Sequence, residues 1–412
     1  MKLLLVHNYY QQPGGEDQVF RNEVNLLRSA GHQVIEYVRH NDEIRNHEVR
    51  STFSLSLRAI WAWDSARDLR EIVARQKPQA VHFHNTFPLI SPAAYFTCCQ
   101  AGVPVIQTLH NYRFACPAGT FIRKGRPCEE CVTHNLTRSV WHACYRESRA
   151  ATAVVATMLE FHRLRRTWNT QVQAYICLSE FQRRKLIAGG LPGERTFVKP
   201  NFVSPDPGAR FQEQLGPAIF VGRLSQEKGL GTLVRAWEIL SPDKQLRIIG
   251  DGDLRPDLQR FIENRGLSNV RFEGRCRHED VLAAIKAARF LVLPSECYEG
   301  LAMTIVEAFA CGVPVIASRI GTMEEVIRDR ITGLHFTSGD PKDLAEKVEW
   351  AWAHPAEMRA MGRNARAEYE AKYTGEKNYK LLMKIYSKAI ADRSVFGCRE
   401  GPGLAAAVGR QA

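Results

Sequence analysis

The chain has 412 residues, enough for two domains that each bury a core of their own. Apolar residues make up 45% and charged residues 24%, which excludes a disordered or fibrous chain, and no run approaches the ~18 apolar residues of a membrane span. Lys and Arg exceed Asp and Glu by 56 − 44 = 12, so an anionic partner is expected: a nucleoside diphosphate or an anionic membrane surface, but not nucleic acid, because the bases are spread and follow no binding motif.

Met1 to His7 has too short an apolar run for a secretion signal and reads as a first strand. Eleven cysteines without a signal then point to a reducing, cytoplasmic setting. Asn8 to Asp17 is a loop containing Gly14 and Gly15. Val19 to Ala30 has helical spacing and stops at Gly31, and His32 to Val38 is the next strand. This is a βαβ unit, and by itself its glycine pair marks only a turn. Residues 51–76 read as one helix carrying Trp61, Trp63, Arg58, Arg67 and Arg70, a mixture that suits a core with a solvated edge better than a membrane-surface face. Ala80 to His84 and Val103 to Leu109 are strands. They bring His82, His84 and Asn85, and then His110, Asn111 and Tyr112, to the carboxyl edge of a sheet, where open α/β folds bind ligands.

Cys116, Cys128, Cys131 and Cys144 form a C-x11-C-x2-C-x12-C pattern within an insert at 115–145 that is rich in Gly, Pro and Arg. Four thiolates suit a structural zinc, with His134 and His142 as substitutes. An oxidised pair and free cysteines are the other options. Arg149 to Trp168 is a basic helix. Ala174 to Leu178 is a strand, and Ser179 caps the next helix, which bears Arg183, Arg184 and Lys185. These basic helices are solvated faces or, as the alternative, a peripheral dock on the inner face of the plasma membrane. Residues 204–217 are rich in proline and read as a linker.

Ala218 to Arg223 opens a second α/β unit, in which Arg223 and Lys228 flank the turn into a helix, a clamp suited to a diphosphate. Asp251-Gly252-Asp253 follows a strand ending at Ile249 and is read as a loop, not as a metal-binding pair. Val270 to Gly274 is a strand that leads into Arg275 and Cys276. Phe290 to Leu293 is a buried strand closed by Pro294. A helix of about ten residues then ends near Cys311, with Gly312 and Pro314 barring its continuation, and Val313 to Ala317 is the next strand. Glu299 lies in the loop before that helix, and Glu307 lies about two turns into it.

Glu299-x7-Glu307, followed by Ala-Phe-Ala-Cys-Gly-Val-Pro-Val-Ile-Ala-Ser, resembles the signature of retaining nucleotide-sugar glycosyltransferases of family 4. The resemblance covers about residues 1–392 and is weak over 40–75 and 115–170. It implies a GT-B fold: two Rossmann-like, doubly wound parallel-sheet domains facing across a cleft. The boundaries expected are 1–203, the linker 204–217, 218–374, a closing helix at 375–392 that returns to the first domain, and a disordered tail at 393–412. It further implies a nucleoside diphosphate sugar donor, a sugar or lipid-linked acceptor, and chemistry without a metal cofactor. Arg223, Lys228, Gly300, Leu301, Glu307, Arg275, Cys276 and Gly15 would hold the donor. Glu299 and His110 would be catalytic, and Gly14, His84 and Tyr112 would face the acceptor. A same-fold transferase acting on a soluble sugar and a non-catalytic nucleotide-sugar-binding protein are the rivals.

Overall fold

A computed structural model describes residues 1–12, 14–45, 52–211 and 216–392; the tail expected at 393–412 and part of the linker lie outside the described residues. Two six-stranded sheets, all parallel, organise the chain. The strands are β1 Lys2–Tyr9, β2 Gln33–His40, β3 Ala80–Phe83, β4 Val105–Thr108, β5 Ile122–Arg123, β6 Arg126–Pro127, β7 Ala174–Cys177, β8 Thr196–Val198, β9 Ala218–Val221, β10 Leu246–Ile249, β11 Val270–Gly274, β12 Leu291–Leu293, β13 Val315–Ser318 and β14 Gly333–Phe336. The first sheet runs β2-β1-β3-β4-β7-β8 and the second β11-β10-β9-β12-β13-β14. Strands such as Leu3-Leu4-Leu5-Val6 are apolar at every position because helices cover both faces.

Strand order fixes where a ligand can sit. In each sheet the chain winds outward one way, then returns to the other side of its first strand. The order therefore reverses between β1 and β3, and between β9 and β12. Crevices at such switch points, beyond the carboxyl ends of the strands, are the binding places of doubly wound sheets.

Two segments cross between the sheets side by side. Val203 donates its N–H to the Tyr373 carbonyl at 3.2 Å, and the Tyr369 hydroxyl donates to the Val203 carbonyl at 3.1 Å. Beyond them the helix Gly375–Ala391, capped by Thr374, buries Leu382, Ile385, Tyr386 and Ala389 against Leu3, Leu5, Phe20 and Ile176 of the first domain.

Several helices differ from the sequence expectation. The first begins at Gly15, because the Asp17 carboxylate accepts the Gly14 N–H at 2.8 Å and so closes the turn four residues early. Residues 51–76 hold two helices, Thr52–Ile60 and Trp63–Gln76. The Ala62 N–H turns out to donate to the Ser91 hydroxyl at 2.8 Å, which breaks the run. Trp61 lies parallel to His162 with ring centroids 6.0 Å apart, while Trp63 is 63% exposed. The basic helix stops at Leu164, with Arg166 in the left-handed region at φ 53°. Among the described residues, no helix is long and apolar enough to cross a membrane.

Candidate active site

The second sheet's switch point is built by two loops that interlock. After β9 the chain passes Arg223, makes a 3-10 turn over Gln226–Lys228, and reverses at Gly229 into the helix Leu230–Ile239. Gly229 has φ +69°, and a Cβ there would run into the Pro294 carbonyl oxygen at the end of β12, so only glycine lets the loops meet. Across that seam Lys228 Nζ lies 2.6 Å from Glu299 Oε1, which also accepts from the Ser295 hydroxyl at 2.7 Å. Burial opposes ionisation of Glu299, but the Lys228 charge and these hydrogen bonds outweigh it and hold the carboxyl below its ordinary value. Glu296 is fixed beside it by the Thr232 hydroxyl at 2.7 Å.

Gly300 and Leu301 lead into the helix Met303–Ala310, which is two residues shorter than expected. Asn201 donates to the Leu301 carbonyl at 2.8 Å. A Cβ on Gly300 would sit 3.1 Å from the His110 carbonyl oxygen, so the second domain's loop rests directly on the first domain's histidine. Glu307, 4% exposed, turns in from the second turn of that helix. Burial alone pushes its carboxyl up to about 7. His278 Nδ1 stands 3.7 Å from it, three residues past the exposed Arg275 and two past the exposed Cys276.

The first domain meets this site from its own switch point. A Cβ on Gly14 would lie 3.4 Å from the Arg223 guanidinium, and one on Gly15 would lie 3.6 Å from Met303. The glycine pair therefore faces both donor-side loops at close range. His110, at the end of β4, is half-buried and lines a cavity of about 80 Å³ with Asn85, Asn111 and Arg113. Burial, then neighbouring His84 and His7, hold the His110 ring well below its ordinary value, so it is neutral at physiological pH.

Two residues expected on the acceptor side lie behind it. His84 is buried, with Nδ1 3.1 Å from His110 Nε2 and Nε2 3.1 Å from Glu23 Oε1, so both its ring nitrogens meet protein groups while its side chain borders the same cavity as His110. Tyr112 is buried in the first domain's core, and its hydroxyl donates to the Glu299 carbonyl at 3.0 Å. Both lie in loops just past the central strands β3 and β4, where His84 is held by Glu23 and His110, and Tyr112 packs against Phe121 and Tyr298.

Other groups at the site escape sequence reasoning. Burial and Asp17 push the Glu16 carboxyl up to about 7 against the pull of Arg113 and Arg223. The Arg113 guanidinium lies 4.4 Å over the Phe87 ring and donates to the Tyr10 hydroxyl at 2.9 Å, while its Nε has no partner. The only available signals were an acid after a glycine pair and an arginine three residues past His110. The insert forms the β5–β6 hairpin and two short helices, Glu130–Thr133 and Thr137–Trp141. It ties down the donor loop: Glu129 accepts from the Tyr298 hydroxyl at 2.8 Å and from Lys185 at 2.7 Å. The basic residues weighed for lipid docking are partly occupied, since Arg183 donates to the Thr196 carbonyl and Arg163 to the Phe114 carbonyl.

The four insert cysteines are neighbours. Burial first, then Cys116, Cys144 and Cys128, push the Cys131 thiol up to about 12. Among the described residues, however, the one His/Cys/Asp/Glu group with ligand atoms within 4.8 Å of one another is Glu23, His82 and His84. A tetrahedral zinc with Zn–S bonds of ~2.3 Å needs its sulfurs closer together than the insert holds them.

Two family models together take in most of the chain: Glycosyltransferase Family 4 over residues 13–207, and Glycosyl transferases group 1 over residues 210–368. The chain belongs to glycosyltransferase family 4. This family 4 chain is 33% identical over 163 residues to the GDP-mannose-dependent monoacylated alpha-(1-6)-phosphatidylinositol monomannoside mannosyltransferase of Corynebacterium glutamicum, a match covering 37% of this chain and 42% of that protein. It spans about half the length of the curated relatives it matches. Sucrose-phosphate synthase from Thermosynechococcus elongatus superposes with a TM-score of 0.71 at 18% identity, covering 95% of this chain and 100% of that one. Anabaena HepE, solved with UDP-glucose, gives 0.66 at 16% identity, covering 94% and 99%. At those identities the likeness establishes the GT-B fold of this family 4 chain.

Proposed function

We propose that the chain is a retaining glycosyltransferase that moves a sugar from a nucleoside diphosphate donor to an acceptor hydroxyl. The observation that carries this reading is the Lys228–Glu299 pair at the second switch point, with Glu307 in the following helix and Arg223 reaching toward Gly14 across the cleft. Glu307 accepts the ribose hydroxyls. Arg223, Lys228 and the backbone of Gly300 and Leu301 take the diphosphate, and this preorganised charge stabilises the leaving group as its bond to the sugar breaks. Arg275 and Cys276 border the nucleobase. Glu299 binds hydroxyls of the donor sugar and supports its oxocarbenium character. The acceptor hydroxyl attacks from the face the nucleotide leaves, and its proton passes to the departing phosphate; Arg223 and Lys228 supply the positive charge there, so this chemistry requires no divalent metal. The acceptor enters beside Gly14 and Arg113.

HepE's UDP-glucose complex supports a nucleotide-sugar donor, and the Corynebacterium relative, a phosphatidylinositol monomannoside mannosyltransferase, supports a glycolipid acceptor. The reading also keeps a structural zinc at Cys116, Cys128, Cys131 and Cys144, which requires the four sulfurs to close onto the ion. Elemental analysis after chelator-free purification should find it in stoichiometric amount, and none present would remove it. For the main reading, calorimetry with uridine, guanosine and adenosine diphosphates should show one that binds well to the parent and weakly to Glu307→Ala. No binding by any nucleoside diphosphate would overturn the catalytic proposal.

A further inference from the structure

Behind His110 lies a buried polar chain that the proposed chemistry leaves unused. Glu23 comes from the first helix, His82 and His84 from the end of β3, and Lys199 from the crossing after β8. All four are buried. Glu23 Oε2 accepts from Lys199 Nζ at 2.8 Å. Its Oε1 lies 2.8 Å from His82 Nδ1 and 3.1 Å from His84 Nε2. His84 Nδ1 lies 3.1 Å from His110 Nε2. The trio of Glu23, His82 and His84 has the spacing of a cation site, but Lys199 already supplies the positive charge that a buried carboxylate needs.

The closing helix completes the cluster. Asn378 Oδ1 accepts from Lys199 at 3.1 Å, Asn378 Nδ2 donates to the Pro200 carbonyl at 2.7 Å, and the Tyr386 hydroxyl sits 2.7 Å from His82 Nδ1. Residues of the closing helix thus fix groups that lie between 178 and 304 positions earlier.

Along the line from Glu23 through His84 to His110, hydrogen bonding and burial together leave one arrangement of protons. Burial opposes ionisation of Glu23, but Lys199 with His82 and His84 outweighs it, so the carboxylate can only accept. His84 must therefore donate from Nε2. Burial holds the His84 ring down at about 3 against the pull of Glu23, so the ring is neutral and has no second proton. Its Nδ1 accepts, and the His110 Nε2–H must be the donor. Neutral His110 is left with a bare Nδ1, which makes no hydrogen bond among the described residues and is not among the fully buried unpaired atoms.

We propose that Glu23 and His84 are positioning residues, locked by the closing helix, that hold His110 as its Nε2–H tautomer and so present Nδ1 to the cleft as a hydrogen-bond acceptor for a sugar hydroxyl. What Nδ1 touches rests on the glycosyl-transfer reading; the tautomer does not. A carboxylate that fixes one end of an imidazole chain sets the chemistry at the other end.

The test is long-range proton–nitrogen NMR of the full chain labelled at histidine nitrogen, with His110 assigned by its loss in His110→Gln. The expected result in the parent is a single neutral Nε2–H tautomer at His110. A neutral Nδ1–H ring, a protonated ring or a mixture of tautomers overturns the proposal, and this arm needs no variant to fold. In Glu23→Gln the side-chain amide can donate, so the His110 signature should shift away from pure Nε2–H. His84→Phe, which removes the acceptor at similar size, should give a mixture. An unchanged signature in either folded variant also overturns it. Calorimetry with UDP, GDP and ADP on the same samples keeps the two readings apart. If none binds the parent while the tautomer is as expected, the relay stands and the transferase reading weakens. If one binds while the tautomer is wrong, the relay alone falls.

Discussion

The sharpest consequence of the geometry is that nucleotide-sugar binding should depend on pH through Glu307. In the free protein burial raises this carboxyl from 4.5 to about 7, and the groups facing it are His278 Nδ1 at 3.7 Å and the neutral thiol of Cys311. Ribose hydroxyls that donate to the carboxylate would favour its charged form and return it toward ~4.3. Binding then releases protons, so affinity rises with pH. Linkage gives a gain of about 30-fold between pH 5.5 and pH 8, ~2 kcal/mol, with about half a proton released per nucleotide bound at pH 7. The sign for the unliganded fold is opposite. A raised carboxyl binds its proton more tightly folded than unfolded, so its contribution is lost as pH climbs from 4.5 through about 7. Glu307→Gln should therefore be more stable than the parent at pH 8, by up to roughly 3 kcal/mol. The assay is calorimetry with UDP-glucose or GDP-mannose, whose diphosphates carry no proton of their own near neutrality, in buffers of different ionisation enthalpy. Equal pH slopes for the parent and Glu307→Gln would refute the reasoning.

Further outcomes follow from the interlocked loops. Lys228→Met leaves Glu299 charged and enclosed, so it should cost roughly 2–4 kcal/mol by denaturant titration, and adding Glu299→Gln should restore much of that; a double variant as unstable as the single one contradicts the pairing. Gly229→Ala combines a disallowed φ with a collision at the Pro294 carbonyl. It should lower Tm by several degrees and weaken nucleotide binding together, and a variant with parental values would show that the seam is not tight. Glu129→Ala frees Tyr298 and Lys185, so limited proteolysis within 115–145 should quicken and nucleotide affinity should fall as the donor loop loosens; unchanged cleavage would mean the insert is anchored elsewhere.

Much of the donor side was legible along the chain. Arg223, Lys228, Glu299 and Glu307 all sit within one or two short loop-and-helix units, where glycine and proline punctuate apolar strands. Local sequence also marks the end of the helix near Cys311, the cap at Ser179 and the closing helix, since capping and periodicity act over a few residues. Break points were harder to see. The interruption at Trp61 and Ala62 depends on a hydroxyl at Ser91, and the early start at Gly15 on a carboxylate turning back from Asp17.

By itself, then, the sequence determined two parallel α/β units, their order, and which residues carry charge to the second sheet's crevice. Those facts rest on patterns that repeat over short spans. Tertiary structure alone decided that His84 and Tyr112 face inward, that Glu23 and Lys199 neutralise each other beneath His110, that Glu129 ties the insert to Tyr298, and that Asn378 and Tyr386 reach back to Lys199 and to His82 of β3. Each of these contacts joins residues far apart in the chain, and whether a polar side chain meets solvent, a substrate or another buried group is settled only when the two sheets and the returning helix close around it.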